Sequence, residues 1–259
     1  MKYLALLLLF FYLTVSPIAK SKTSSELTLL KQYSWNHGAR FCLFNNDPAI
    51  EVYQYNETSY ILRQNKCLHY EAPFIYVLFG KHSVFIQDTG ATASSSEFPL
   101  FQKVMNLVEH VATINNKTAA EYSIIVSHSH SHSDHIAADK QFTGQENVTL
   151  IEPTAKAVKN YFGYGQNKLN WPEDISQLDL GERTLTIIPI PGHQSEAIAI
   201  YDDKNQWLLT GDSLYPGRLY IKDWSRYKNS IGRLIDFTKS KPIAAIMGTH
   251  IEMSQTAGN

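Results

Sequence analysis

The stretch that decides the reading runs Ser123-Ile124-Ile125-Val126-Ser127-His128-Ser129-His130-Ser131-His132-Ser133-Asp134-His135. Its opening, 123–126, predicts a short buried strand. The polar residues that follow end that strand in a loop, and loops on a rigid scaffold are where functional side chains are presented. His130 and His132 alternate, and alternate side chains on an extended backbone point to one side. Both imidazoles can therefore reach one ion. Asp134 and His135 come after a turn and can aim at a second position. Imidazole and carboxylate are the donors that suit a metal such as zinc without thiolates. His128 stands one step outside this set and reads as a strand-end residue. A plain His/Ser tract would bind metal adventitiously or not at all. Fixed offsets behind a strand, with partners elsewhere in the chain, distinguish this segment from such a tract.

Those partners recur at other strand ends. His193 closes Ile190-Pro191-Gly192-His193 behind an apolar run at 183–190, Asp212 lies in Thr210-Gly211-Asp212-Ser213 behind 206–210, and His250 ends Gly248-Thr249-His250 behind 243–247. Asp88-Thr89-Gly90 follows a run at 83–87. Segments 50–62 and 73–87 read as hairpins turning at Asn56-Glu57 and Gly80-Lys81. Helical spacing covers 98–111 and 225–240, strands are expected at 148–151 and 197–201, and a helix at 153–162 carries Pro153 in its first turn. Strand hairpins followed by strands mixed with helices, twice over, predict two sheets with helices packed outside, in one α+β or α/β layered domain.

Composition narrows the chemistry. The chain has 259 residues, enough for a sizeable core, and 44% of them are hydrophobic. The net charge of -1, from 23 basic and 24 acidic residues, gives no field for nucleic acid. There are 10 histidines but only 2 cysteines, so a four-thiolate zinc site is excluded. Met1 and Lys2, an apolar run from Tyr3 to Val15 and a small residue at Ala19 read as a secretory signal peptide over 1–19, leaving a mature domain of 20–259. The apolar run falls short of the roughly 20 residues of a spanning helix, so no stable membrane anchor is expected after cleavage. A secreted or periplasmic location permits disulfides, and Cys42 and Cys67 form a candidate bridge, the other reading being two separate buried thiols.

The set HxHxDH at 130–135, PGH at 191–193, GDS at 211–213 and GTH at 248–250, with DTG at 88–90 ahead of it, resembles the metallo-β-lactamase superfamily of hydrolases. The resemblance runs from about residue 48 to 250, with the motifs in family order. It implies a four-layer αββα sandwich and two Zn²⁺ per chain, with Fe or Mn as other candidates for a His/Asp site. It assigns His130, His132 and His193 to one ion, Asp134, His135 and His250 to the other, and Asp212 to a bridge. It further implies a metal-activated hydroxide that Asp134 orients as the catalytic carboxylate. Asp88 would support a ligand histidine through a hydrogen bond, or serve only its turn. Tyr215, Arg218 and Tyr220 follow Asp212 and are candidates for contact with a small-molecule substrate.

The chain departs from the family after the central histidine. It reads His193-Gln194-Ser195-Glu196-Ala197 where many members read HTPG. No cysteine lies beyond Cys67, which excludes lactamases with a cysteine ligand. The leading expectation is a secreted zinc hydrolase of an ester, thioester, lactone or amide bond. A periplasmic β-lactamase with histidine and aspartate ligands is the alternative, followed by a phosphodiesterase or a non-catalytic metal-binding protein.

Overall fold

The computed structural model describes residues 23–165 and 169–251. The signal peptide expected over 1–19 lies outside these residues. Among the described residues no helix is long and apolar enough to cross a membrane.

Six strands form the first sheet: β1 (Ile50–Asn56), β2 (Ser59–Gln64), β3 (Phe74–Phe79), β4 (Ser83–Gln87), β5 (Ser123–Ser127) and β6 (Val148–Leu150), side by side in that order. The first four pair antiparallel, as the two expected hairpins require, and β4, β5 and β6 run parallel. The second sheet is ordered β11-β10-β9-β8-β7, from β7 (Ser176–Asp179), β8 (Thr184–Pro189), β9 (Ile198–Asp202), β10 (Trp207–Gly211) and β11 (Ala245–Gly248). Helix α1 (Thr23–Gln32) precedes the first sheet. Helices α2 (Leu100–Ile114), α3 (Ser133–Ile136), α4 (Ala155–Tyr161) and α5 (Trp224–Thr238) follow in the connections.

Three buried clusters make the layers. Phe74, Tyr76, Leu78 and Phe85 of the first sheet meet Leu185, Ile187, Ile200 and Trp207 of the second, forming the central core. The other face of the first sheet packs on Leu100, Val104, Val108 and Val111 of α2, a helical stripe. The outer face of the second sheet packs on Leu234, Ile231 and Phe237 of α5. The order is helix, sheet, sheet, helix, the α+β sandwich that the strand pattern predicted.

Some boundaries differ from expectation. Pro153 stands outside α4, because Thr154 takes the cap and accepts from the Ala157 amide at 3.2 Å. Strand β7 and helix α1 were not anticipated. The Ser176–Asp179 segment is polar at every position but Leu178 and lies at a sheet edge, so it carries little apolar signal.

This topology gathers the motif-bearing strand ends. Strands β8 and β10 are both antiparallel to β9, and β11 is parallel to β10, so all three end at one edge. Strands β4 and β5 are parallel and in register from Ser83↔Ser123 to Gln87↔Ser127, so Asp88 emerges beside His128. The ends of parallel strands are the usual place for a ligand crevice.

A buried clamp fastens the two sheets. Arg183 donates to Asp202 from Nε at 2.8 Å and from Nη2 at 2.5 Å, and reaches the first sheet through the carbonyls of Thr58 and Phe79 and the Ser59 hydroxyl. Both charged side chains are fully buried. Arg183→Met would leave Asp202 buried without its partner, which costs about 3–5 kcal/mol. The check is chemical denaturation, in which the variant's midpoint should fall with the slope unchanged.

Candidate metal centre

The expected histidines and aspartates converge at that edge. One group consists of His130, His132, His193 and Asp212, and another of Asp134, His135, Asp212 and His250. Within each, one donor atom per residue lies within 4.8 Å of all the others. His132 Nδ1 is 3.0 Å from His130 Nε2 and 3.1 Å from His193 Nε2. Asp212 Oδ2 is 3.8 Å from His130 Nε2 and 3.9 Å from His193 Nε2. The other oxygen of the same carboxylate, Oδ1, is 3.5 Å from His135 Nε2 and 3.3 Å from His250 Nε2. Asp134 Oδ2 lies 3.0 Å from His135 Nε2 and 3.1 Å from His250 Nε2. A tetrahedral ion at ~2.1 Å from each donor needs donors roughly 3.4 Å apart. Both groups meet that spacing, and Asp212 offers one oxygen to each.

The outward nitrogens fix which ring atom faces inward. His193 Nδ1 donates to the Tyr220 carbonyl at 2.6 Å, and His250 Nδ1 to the Glu71 carbonyl at 3.0 Å. A carbonyl only accepts, so Nδ1 carries a proton in each ring and Nε2 is the atom turned to the centre. His135 Nδ1 is held by Asp88 Oδ2 at 3.0 Å. The Ser129 hydroxyl donates to Asp88 Oδ2 at 3.0 Å and accepts from His130 Nδ1 at 3.0 Å. His132 is turned the other way, with Nδ1 inward and Nε2 against the Gln194 side-chain amide.

Local backbone explains the motif residues. Helix α3 is a single turn that begins after His132, still extended at φ -69 and ψ 154. It swings Asp134 and His135 toward the second group, both buried. Gly211 has φ +52, and a Cβ there would stand 2.5 Å from Ser129 Cβ. Glycine is thus required where β10 crosses the histidine loop. At Gly192, φ is +147 and a Cβ would meet the Tyr227 backbone at 2.5 Å.

Charge in the centre is uneven. Burial, with the neighbouring imidazoles of His135, His193 and His132, holds His130 well below the usual histidine range, and burial also lowers His132. Burial acts to discharge His135 too, but the carboxylates of Asp88 and Asp212 outweigh it and hold it well above that range. His250 is raised against burial by Asp134 and Asp212. Asp134 and Asp212, which burial alone would raise, are held low by His135 and His250. His135 Nε2 and Asp212 Oδ1 are buried without a well-formed hydrogen bond. Carboxylates that draw protons onto neighbouring imidazoles, together with inward donors lacking partners, fit a centre that takes cations.

Sequence reasoning missed three supporting residues. Glu196 Oε1 accepts from the Ser131 amide at 3.2 Å and its hydroxyl at 2.5 Å, anchoring the histidine loop from the far side. Gln194 touches His132, and the Glu71 carbonyl orients His250. Gln194 and Glu196 occupy the departure from HTPG, which was the available signal. His128 lies just past the end of β5, as its strand-end reading expected, with Nε2 2.9 Å from Asp139 Oδ1. Cys42 and Cys67 are joined by a disulfide. Tyr215, Arg218 and Tyr220 line a cleft of about 490 Å³ over His132, Asp134, His193, Asp212 and His250.

A family model described as "Metallo-beta-lactamase superfamily" matches residues 71–250. Among curated proteins, "Acyl-coenzyme A thioesterase MBLAC2" of Gallus gallus is 29% identical over 82 residues, 29% of this chain and 29% of that protein. The Homo sapiens protein of the same name is 31% identical over 84 residues, 30% of this chain and 29% of its own length. The chain thus aligns with less than a third of these relatives. Among solved structures, "Metallo-beta-lactamase from Pontibacter korlensis" superposes with a TM-score of 0.54 at 15% identity, covering 78% of this chain and 92% of that one, a likeness of fold.

Removal of the Asp88 carboxylate should weaken metal holding about 10–100-fold, the usual effect of removing a ligand's orienting partner. Asp88→Ala should therefore lose metal to a competing chelator at correspondingly lower chelator concentration. Elemental analysis after gel filtration should find about two ions per wild-type chain and fewer in Asp212→Ala.

Proposed function

Since the chain belongs to the metallo-β-lactamase superfamily, whose members include thioesterases and β-lactamases, we propose that it is a metal-dependent hydrolase cleaving an ester, thioester, lactone or amide bond of a small molecule. The observation that carries this reading is Asp212, which turns one carboxylate oxygen to each donor group in the floor of the cleft. His130, His132, His193 and Asp212 would hold one Zn²⁺, and Asp134, His135, His250 and Asp212 a second. When bound, such a pair of ions polarises the scissile bond and brings the pKa of a water toward neutrality.

The chain's own groups supply the rest. Asp134 lines the cleft, so its carboxylate can accept a hydrogen bond from the attacking water and orient it. Water adds to the acyl carbon, a C–O bond forms, the bond to the leaving oxygen, sulfur or nitrogen breaks, and the leaving group departs with a proton. No side-chain nucleophile is needed. Tyr215, Arg218 and Tyr220 stand on the cleft wall, where they can contact substrate, and the Arg218 guanidinium favours one bearing an anionic group. The Cys42–Cys67 disulfide supports the further reading that the protein works in an oxidising compartment, secreted or periplasmic.

A hydrolase panel tests the assignment, with thioesters, esters, lactones, nitrocefin and a phosphodiester offered to the protein. Turnover of an acyl substrate, lost with chelator and restored by Zn²⁺, is expected. Asp134→Ala and Asp212→Ala should each lower kcat/KM at least about a hundredfold. Zinc-independent turnover, or full activity in both variants, would sink the reading. Turnover confined to nitrocefin, a cyclic amide, would narrow the reading to the β-lactamase.

A further inference from the structure

Beside the metal cleft lies a second, smaller pocket of about 170 Å³. The two share His250 and Ile251 in their walls, so the small pocket lies against the second donor group. Their linings differ in kind. The cleft presents carboxylates, imidazoles and Arg218, whereas the pocket is walled by Trp35, Phe74 and Tyr76 with Leu30 from α1. Two polar atoms of this wall are turned to other partners. The Tyr76 hydroxyl donates to the Gly248 carbonyl at 2.5 Å, and His250 Nδ1 donates to Glu71. What faces inward from Tyr76 is its ring. Trp35 packs edge-on against Phe74, with centroids 4.8 Å apart, which fixes both rings.

We propose that this pocket receives the apolar acyl chain of the substrate, making the protein a hydrolase of short aliphatic acyl groups. The inference rests on the hydrolase reading above and adds the substrate class. A cavity of roughly 150 Å³ lined by apolar side chains holds a benzene-sized guest, so a pocket of about 170 Å³ accommodates about six carbons. A chain of that length would run from a carbonyl at the donor groups past His250, which both walls share. The leaving portion then occupies the larger, polar cleft, which suits a bulkier and more hydrophilic group. The reverse arrangement would place polar atoms against aromatic walls without partners, and burying polar groups in that way is unfavourable.

The test varies the two ends of the substrate separately. Thioesters of N-acetylcysteamine with acetyl, butanoyl, hexanoyl and decanoyl groups are compared, then hexanoyl thioesters of thiols of increasing alkyl length. The proposal expects kcat/KM to rise about fourfold per methylene up to hexanoyl and to fall at decanoyl, with little dependence on the thiol. Leu30→Trp, which places an indole at the α1 side of the pocket, should reduce the hexanoyl-to-acetyl ratio at least about tenfold. A flat acyl profile, or a length preference that follows the thiol instead, overturns the proposal.

Binding gives a readout free of turnover. 1-Hexanol titrated into the full chain and followed by ligand-observed NMR should bind more tightly than 1-propanol, and should lose that advantage in Leu30→Trp. Equal weak binding of both alcohols to the wild-type chain counts against the pocket, whether or not the variant folds. If 1-hexanol binds as expected but no acyl substrate is turned over, the hydrolase reading fails while the pocket stands. If thioesters are hydrolysed with no chain-length preference, the hydrolase stands and the acyl pocket fails.

Discussion

The site depends on one buried carboxylate. Asp88 is fully buried and accepts from the Ser129 amide at 2.7 Å, the Ser129 hydroxyl at 3.0 Å, His135 Nδ1 at 3.0 Å and the Thr249 hydroxyl at 3.5 Å. A buried anion is tolerated only when donors surround it, and losing one partner is far more costly than the net worth of the pair. These donors come from the histidine loop, from the turn that carries His135, and from the end of β11. The carboxylate therefore sets the relative position of both donor groups. It does so from a left-handed backbone at φ 71, a conformation that aspartate tolerates better than most residues. A side chain in a merely convenient turn would not need four donors, so Asp88 serves its turn and holds the His135 ring together.

The sheets make this carboxylate effective. The Ile198 amide at the start of β9 bonds the Ser129 carbonyl at 3.0 Å, and the Phe74 amide of β3 bonds the Thr249 carbonyl at 2.8 Å. Each sheet thus reaches across to a segment that carries ligands from the other. With the Arg183–Asp202 clamp holding the sheets together elsewhere, the ligand-bearing loops have little freedom to drift apart. Donor atoms gathered within 4.8 Å of one another in each group are the result, and preorganisation of this kind is what a metal centre requires.

Much of this was legible in the chain, for identifiable reasons. Apolar runs at 123–126, 183–190, 206–210 and 243–247 announce strands, and a histidine or aspartate within three residues past each is a pattern that packing alone does not produce. The layered order followed from the same runs. What stayed hidden acts through backbone or through distant partners. The Glu71 carbonyl that orients His250 has no side-chain signature, and Glu196 reaches Ser131 across 65 positions. The one-turn helix α3 is too short to show a period, yet it sends Asp134 and His135 to the second group while His130 and His132 serve the first. The pocket walls are ordinary core residues of β3 and the segment before β1. Their apolar character is visible in sequence, but the space they leave beside His250 is a property of the assembled sheets.

The loop between β2 and β3 joins a wall of the cleft to the backbone that orients His250. Tyr70 and Glu71 line the cleft, and the Glu71 carbonyl fixes the tautomer of His250. Cys67 in this loop is bonded to Cys42, and the Asn65 side chain accepts from the Cys67 amide at 2.8 Å while donating to Asn45 at 2.7 Å. The same segment is therefore both a wall of the cleft and a support for a proposed metal ligand. A substitution that changes a side chain here can alter the shape of the cleft and leave the carbonyl where it is. One that moves the backbone changes the lone pair that His250 offers to the second donor group. Variation in this loop is thus constrained to side chains, and the cross-link to Cys42 limits how far the backbone can shift when they change.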